Sequence, residues 1–398
     1  MVNDRLNESV TVGSSYRSVP SDNAAHRRAT RIAFGLVGIG MAAWAPLVPY
    51  AKARLGIDDA TLGGLLLCLG IGSLAAMPGA GFLAGRFGCR SVMSVATLGL
   101  CAALPGLASA NNVVVLGAIL LGFGAALGVF DVAVNVQAVR VEKASGRAIM
   151  SGFHAFFSLG GMFGAGGVSL LLWLGESPLT ASIAALCVCL IALVAAAPGL
   201  LPKSERRQVA KGGARFVRPT GLVLAIGSLC FVAFLVEGAM LDWSGVFLVT
   251  FGGMSSAAAG LGYATFSVAM TLGRMTGDRV VRKFGPHPVL VGSALCAMCG
   301  LFWVVFIARG WESLAGFALV GFGSANIVPI LYSALGRQRV MPPNLAISAA
   351  ATLGYAGILA GPALIGAIAR FYSLGIAYLL VAGLLLCIAT SAGRILRA

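Results

Sequence analysis

Twelve apolar stretches separated by short polar turns run through this chain, near residues 31–51, 61–84, 91–109, 113–139, 149–173, 179–200, 220–247, 257–276, 288–308, 313–335, 345–369 and 374–392. Each is about 20 residues long, the length a helix needs to cross roughly 30 Å of hydrocarbon. The pattern predicts an all-α integral membrane protein with twelve transmembrane helices. Residues 1–30 are polar and are expected to form a disordered cytoplasmic tail. Residues 31–200 and 220–398 each hold six spans, and 201–219 is a basic linker between them.

Composition agrees with a lipid setting. The 398 residues are 59% hydrophobic and only 10% charged, against about 25% charged in soluble proteins. Fifty-five glycines suit close helix packing in a bilayer. The nine cysteines fall mostly within apolar runs and form neither a disulfide framework nor a paired metal-ligand motif. A Walker loop is missing, which argues against a pump driven by ATP.

The net charge of +15 could suggest nucleic acid, but its distribution says otherwise. With the N-terminus inside, only Lys52, Arg54, Arg309 and Arg370 of the 28 basic residues fall on the outer side. That bias follows the positive-inside rule and predicts cytoplasmic termini.

The halves echo each other. Leu120-Leu-Gly-Phe-Gly124 in span four is matched by Leu319-Val-Gly-Phe-Gly323 in span ten, and Ser158-Leu-Gly160 in span five by Thr352-Leu-Gly354 in span eleven. Two pseudo-symmetric six-helix bundles are therefore expected, with a substrate site between them near the midplane.

Few residues inside these spans could carry chemistry. Asp131 lies deep in span four with Asn135 one turn on, so the two share a helix face. A carboxylate at membrane depth costs roughly 2.5–3.5 kcal/mol on insertion scales and is a functional candidate by default. His154 and Ser158 repeat that spacing in span five. Glu237 is a second intramembrane acid, in the other half. Asp131, Glu237 and His154 are titratable groups at membrane depth and so candidates for proton coupling, a role that for Asp131 and His154 the family resemblance described below implies. Trp44 and Tyr50 flank a proline pair that should kink span one, Tyr263 and Ser267 share a face of span eight, and Asn326 and Tyr332 flank Pro329 in span ten. Aromatic faces combined with amide and carboxylate groups suit a sugar or polyol. The expected substrate-binding set is thus Asp131, Asn135, His154, Ser158, Trp44, Tyr50, Glu237, Tyr263, Asn326 and Tyr332.

Several phrases resemble a known family. Gly81-Phe-Leu-Ala-Gly-Arg86-Phe-Gly88-Cys-Arg90, between spans two and three, is similar to the loop motif of the major facilitator superfamily, with Gly85 where that motif has Asp. The second half carries Gly273-Arg-Met-Thr-Gly-Asp278-Arg279, where the acid is present. The resemblance implies a latch between the halves at the cytoplasmic end, with Arg86, Arg90, Asp278 and Arg279 as its candidates. Asp131-Val-Ala-Val-Asn135 and His154-Ala-Phe-Phe-Ser158-Leu-Gly160 resemble the fucose-permease-like branch. Met150-Ser-Gly-Phe-His154 and Glu237-Gly-Ala-Met-Leu-Asp242-Trp243 resemble a YbjJ-type subgroup, itself similar to the rhizopine transport protein MosC. The fucose permease has a further acid in span one; here Trp44-Ala-Pro46-Leu-Val-Pro49 has none.

The resemblance implies a monomeric secondary transporter of the bacterial inner membrane, with no enzyme activity. It would import a small hydroxylated solute such as a sugar, polyol or inositol derivative, including an amino-polyol of rhizopine type, driven by a proton gradient with no cofactor and no metal. Its partners would be the solute, protons and the bilayer, and not nucleic acid. The alternatives are a proton-driven exporter of drugs or metabolites and a membrane sensor that binds solute without moving it.

Overall fold

The computed structural model describes residues 23–203, 218–254, 260–307 and 309–397. Fourteen α-helices make up twelve spans, because spans one and ten are each broken. Span one comprises α1 (Ala24–Ala42), a 3-10 turn (Ala45–Leu47) and α2 (Val48–Leu55). Pro46 and Pro49 fall at this break, as the proline pair led us to expect, because proline removes a helical donor and clashes with the preceding turn. Spans two to six are α3 (Asp59–Phe87), α4 (Cys89–Ser109), α5 (Val113–Ser145), α6 (Met150–Trp173) and α7 (Pro178–Ala196).

Spans seven and eight are α8 (Gly221–Thr250) and α9 (Gly260–Phe284), and span nine is α10 (Pro286–Phe302) with a π-helical turn at Trp303–Ile307. Span ten comprises α11 (Ser313–Ser324) and α12 (Ile327–Arg337), separated at Ala325 and Asn326 just before Pro329. Spans eleven and twelve are α13 (Pro343–Phe371) and α14 (Leu374–Arg397). Among the described residues eleven of these spans are apolar enough to cross a membrane by composition; α9, which combines Arg274 with many glycine, hydroxyl and tyrosine positions, is the one that is not.

The expected tail is shorter than 30 residues, since Asn23 caps α1 through its side chain and the helix begins at Ala24. Residues 1–22 of that tail and 204–217 of the expected linker lie outside the described residues.

The pairings repeat between halves: α3 packs on α5 as α9 packs on α11, α1 on α6 as α8 on α13, and α4 on α7 as α10 on α14. Glycines set these contacts. A side chain at Gly124 would strike the Leu69 carbonyl of α3, and one at Gly321 the Phe266 carbonyl of α9. Gly160 meets the Gly35 backbone and Gly357 the Phe231 backbone in the same way. Gly88 and Gly285, with φ of 86° and 82°, make the matching tight turns between α3 and α4 and between α9 and α10.

Candidate functional site

The breaks in spans one and ten, together with α5, α6, α8, α9 and α13, surround the interior where the predicted polar residues gather. Asn135 donates from Nδ2 to the Asp131 backbone carbonyl at 2.9 Å and to Asp131 Oδ1 at 3.3 Å. Asp131 is half-buried, Asn135 is buried, and the Asn135 Oδ1 acceptor has no partner. Among the described residues no cation lies within ion-pair distance of Asp131.

His154 is buried on α6, with its ring 5.0 Å from Phe34 of α1 and 6.1 Å from Tyr332 of α12. Its Nε2 and the Tyr332 hydroxyl are both buried without a partner. Tyr332 is within coulombic reach of Asp131. A buried polar atom left unpaired costs about 1–3 kcal/mol, so a group of them around one carboxylate marks a place built for a visiting partner.

Glu237 is differently placed. Arg274 of α9 donates from Nη2 to Glu237 Oε1 at 3.2 Å and from Nη1 to Ser158 Oγ of the other half at 2.9 Å. Ser158 Oγ in turn donates to the His154 carbonyl at 3.4 Å. The Arg274 side chain is only 6% exposed and its Nε has no partner. The charge count had grouped Arg274 with the basic loops. It stands ten residues before the end of α9, about 15 Å into the bundle.

Tyr263 lies within reach of this ion pair, and its ring sits 6.0 Å from Phe266. Tyr355 of α13 was not anticipated, because nothing in its sequence context separates it from packing. It is within coulombic reach of both Asp131 and Glu237. Trp44 is buried with its indole N–H unpartnered, whereas Tyr50 is 43% exposed on α2.

Asn326 is drawn into a different task. Its Oδ1 accepts from Ser151 Oγ at 2.7 Å across the two halves, on the side of the bundle where the basic turns lie. That side, termed here the basic end, is closed. Asp278 Oδ2 accepts from the Gly152 backbone N–H at 3.0 Å, and Arg282 Nη1 donates to the Ala148 carbonyl at 2.9 Å. Ser333 of α12 donates to Glu142 of α5, whose other oxygen accepts the Ile149 and Met150 N–H groups at 3.1 Å. The start of α6 is therefore held by one carboxylate from each half, where the helix dipole favours negative charge.

The matching contact at α13 has no acid, as Gly85 foretold. Asn344 Nδ2 donates to the Gly81 carbonyl at 2.6 Å, and Ser348 Oγ donates to the Met77 and Pro78 carbonyls. Arg86 stacks over Phe87 at 5.3 Å. The side chains of Arg86, Arg90 and Arg279 are exposed, with no hydrogen bond or ion pair among the described residues. The contacts that join the halves thus fall to Asp278, with Glu142, Arg282, Asn344 and Ser348 added. Glu142 was missed because it sits beside Lys143 at a helix end and reads as an ordinary loop charge. Among the described residues, the hydrogen bonds between halves lie at the level of Arg274 or on its basic side.

The sequence profile described as Major Facilitator Superfamily matches residues 32–344. The chain is 55% identical to an uncharacterised MFS-type transporter of Yersinia pestis over 92% of this chain and 95% of that one. It is 32% identical to membrane protein MosC of Rhizobium meliloti, over 87% and 84% respectively. Among solved structures it resembles FucP, the E. coli fucose:proton symporter, in its outward conformation. The TM-score is 0.80 with 18% identity over 92% of this chain and 98% of that one, a likeness of fold alone.

Proposed function

The chain belongs to the major facilitator superfamily, and on that premise we propose that it is a proton-coupled symporter of a small hydroxylated solute, such as a sugar, polyol or inositol derivative. As a family member it is a multi-pass membrane transporter of small molecules and not an enzyme. The observation that carries the finer reading is the contrast between its two interior acids. Asp131 has a hydrogen bond from Asn135 and no counter-ion among the described residues, whereas Glu237 is paired with Arg274. A carboxylate with no counter-ion in a low-dielectric interior is held best as the neutral acid and exchanges its proton when water reaches it. Asp131 is the proton carrier in this scheme.

Glu237 stays paired with Arg274 in this scheme, because Arg274 sits in the same half and travels with it. The pair acts as a hydrogen-bonding clamp for solute hydroxyls. The free Asn135 Oδ1, His154 Nε2 and Tyr332 hydroxyl supply further partners from both halves. Closure of the halves around such a solute satisfies groups that are otherwise orphaned, which favours the loaded, protonated state for movement. Two carboxylates against one guanidinium leave one negative charge. An amino-polyol would therefore seat its ammonium at Asp131 in place of the proton.

The charge bias supports a cytoplasmic basic end and cytoplasmic termini, in a bacterial inner membrane. The described state is then closed inward and receives solute from outside. The relation to FucP supports this reading, since that protein is a fucose:proton symporter.

Purified protein in proteoliposomes tests it, with labelled sugars, polyols, inositols and amino-polyols under an imposed pH gradient. Accumulation driven by the gradient, abolished in Asp131→Asn but with solute exchange retained, is expected. Expulsion of solute would make it an antiporter, binding without flux a sensor, and either result overturns symport.

A further inference from the structure

On the basic side of the seal between the halves lies a cavity of about 440 Å³ that the transport scheme does not use. It is lined from both halves, by the end of α5 and the start of α6 on one side and by α9, α10 and α12 on the other. Lys143, Arg147, Arg282 and Arg337 face it together with two carboxylates, Glu142 and Asp278, which leaves two positive charges in excess.

Those carboxylates are already engaged. Glu142 binds two backbone N–H groups and Ser333, and Asp278 Oδ2 binds the Gly152 N–H. Arg282 donates to the Ala148 carbonyl, but the side chains of Lys143 and Arg147 have no hydrogen bond or ion pair among the described residues, Arg147 bonding Ser145 through its backbone alone. Arg337 is within coulombic reach of Glu142 but not in a hydrogen bond with it. The first residue of α10, Pro286, also faces the cavity, and that helix has no side-chain cap. Its dipole adds positive potential at the same place.

One acceptor completes the chemistry. Asp278 Oδ1 is shielded from solvent and unpartnered. An ionised carboxylate only accepts, so its missing partner is a donor such as a hydroxyl. Free guanidinium groups on one wall and an orphan acceptor on another describe a ligand with a dianionic head and a hydroxylated body.

We propose that this cavity binds a soluble phosphomonoester of a hydroxylated compound. Arg147, Arg337 and Lys143 hold the phosphoryl oxygens, and Asp278 Oδ1 accepts from a ligand hydroxyl. Arginine matches phosphate oxygens with its fixed fork of donors. A ligand gripping both halves holds the basic end shut. If the solute is imported as proposed above, the reaction class that supplies such a ligand is phosphoryl transfer to one of its hydroxyls inside the cell. The cavity then reports product back to the carrier, a regulatory consequence that rests on the transport reading, whereas binding itself does not.

The test uses the full-length protein in phosphatidylcholine nanodiscs, with thermal unfolding as the readout. Glucose 6-phosphate is expected to raise the transition saturably and inorganic phosphate to raise it less. Glucose, or chloride at equal ionic strength, should leave it unmoved. In Arg147→Gln/Arg337→Gln the apparent affinity for glucose 6-phosphate should fall at least about tenfold, because two charged hydrogen-bonding groups are lost. The transition of this variant without ligand checks that it folds. Asp131→Asn should keep the response, so this site and the transport site fail independently. An equal response in the Gln double variant, no response to either phosphate, or a rise only with phosphatidylglycerol in the bilayer overturns the proposal.

Discussion

Arg274 and Glu237, on neighbouring helices of the C-terminal half and 37 positions apart in sequence, meet at 3.2 Å inside the bundle. Removing one member of a buried ion pair leaves the other charge uncompensated, which costs roughly 3–5 kcal/mol. Arg274→Gln is therefore expected to lower thermal stability in detergent substantially. The double variant Arg274→Gln/Glu237→Gln should recover much of that loss, since neither charge then remains. Equal loss in the single and double variants would show that the ion pair is not what Arg274 contributes.

The two carboxylates at the start of α6 hold the basic end closed. Asp278→Asn exchanges a charged acceptor for a neutral one at a helix N-terminus and weakens one contact between the halves. A charged hydrogen bond is worth roughly 1.5–3 kcal/mol, so the closed state should lose about tenfold or more in population. Spin labels at the exposed positions Lys143 and Arg339, in a background cleared of native cysteines, would report a longer mean distance in the variant. An unchanged distance distribution would assign closure to the remaining contacts.

Arg54 ends α2 and donates to three carbonyls at the end of α4: Leu107 at 3.0 Å, Ala108 at 2.5 Å and Ala110 at 2.9 Å. These carbonyls have few or no intrahelical partners, and the cation also faces the negative end of the helix dipole. Arg54→Ala should destabilise by about 1–3 kcal/mol, with Arg54→Lys intermediate because an ammonium cannot span all three. Chemical unfolding in mixed micelles measures the difference.

Asp58 caps α3 in the turn before the span. Hydrogen bonds from the Thr61 side chain, then from the Thr61 backbone N–H at 2.8 Å, hold its carboxyl below the usual carboxylate value. A folded-state value below the unfolded one means a contribution fully present above about pH 4 and lost as pH falls through the folded value. Asp58→Ala should thus melt at a lower temperature than the parent at pH 7, and the gap should close in acid. Asp58→Asn should lose less than Asp58→Ala at pH 7.

Much of this architecture was legible in one dimension. Hydrocarbon demands a long apolar run for a crossing, so eleven of the twelve spans are written plainly into the hydropathy, and α9 more faintly. The repeated Leu-x-Gly-Phe-Gly phrases in spans four and ten disclosed the two halves, although the glycine that meets the paired helix is the second of the phrase in span four, Gly124, and the first in span ten, Gly321. Pro46 and Pro49 announced the break in span one, since a missing N–H acts locally, whereas the break before Pro329 was not read from the sequence, and Pro78, Pro105 and Pro362 lie within unbroken helices. Asp131 with Asn135 was readable for a similar reason: residues four apart share a helix face wherever that helix goes.

What the chain does with its other charges was decided only in three dimensions. Arg274 looked like part of a basic loop until α9 carried it inward to Glu237 and Ser158. Asn326, expected among the solute ligands, is turned toward Ser151 at the break in span ten. Glu142 reached α6 and α12 from a helix end that sequence alone treats as surface. These contacts join residues 37 to 191 positions apart and depend on the rotation and depth of each helix. Hydropathy fixes that a helix spans the bilayer; packing against its neighbours fixes which way its side chains face.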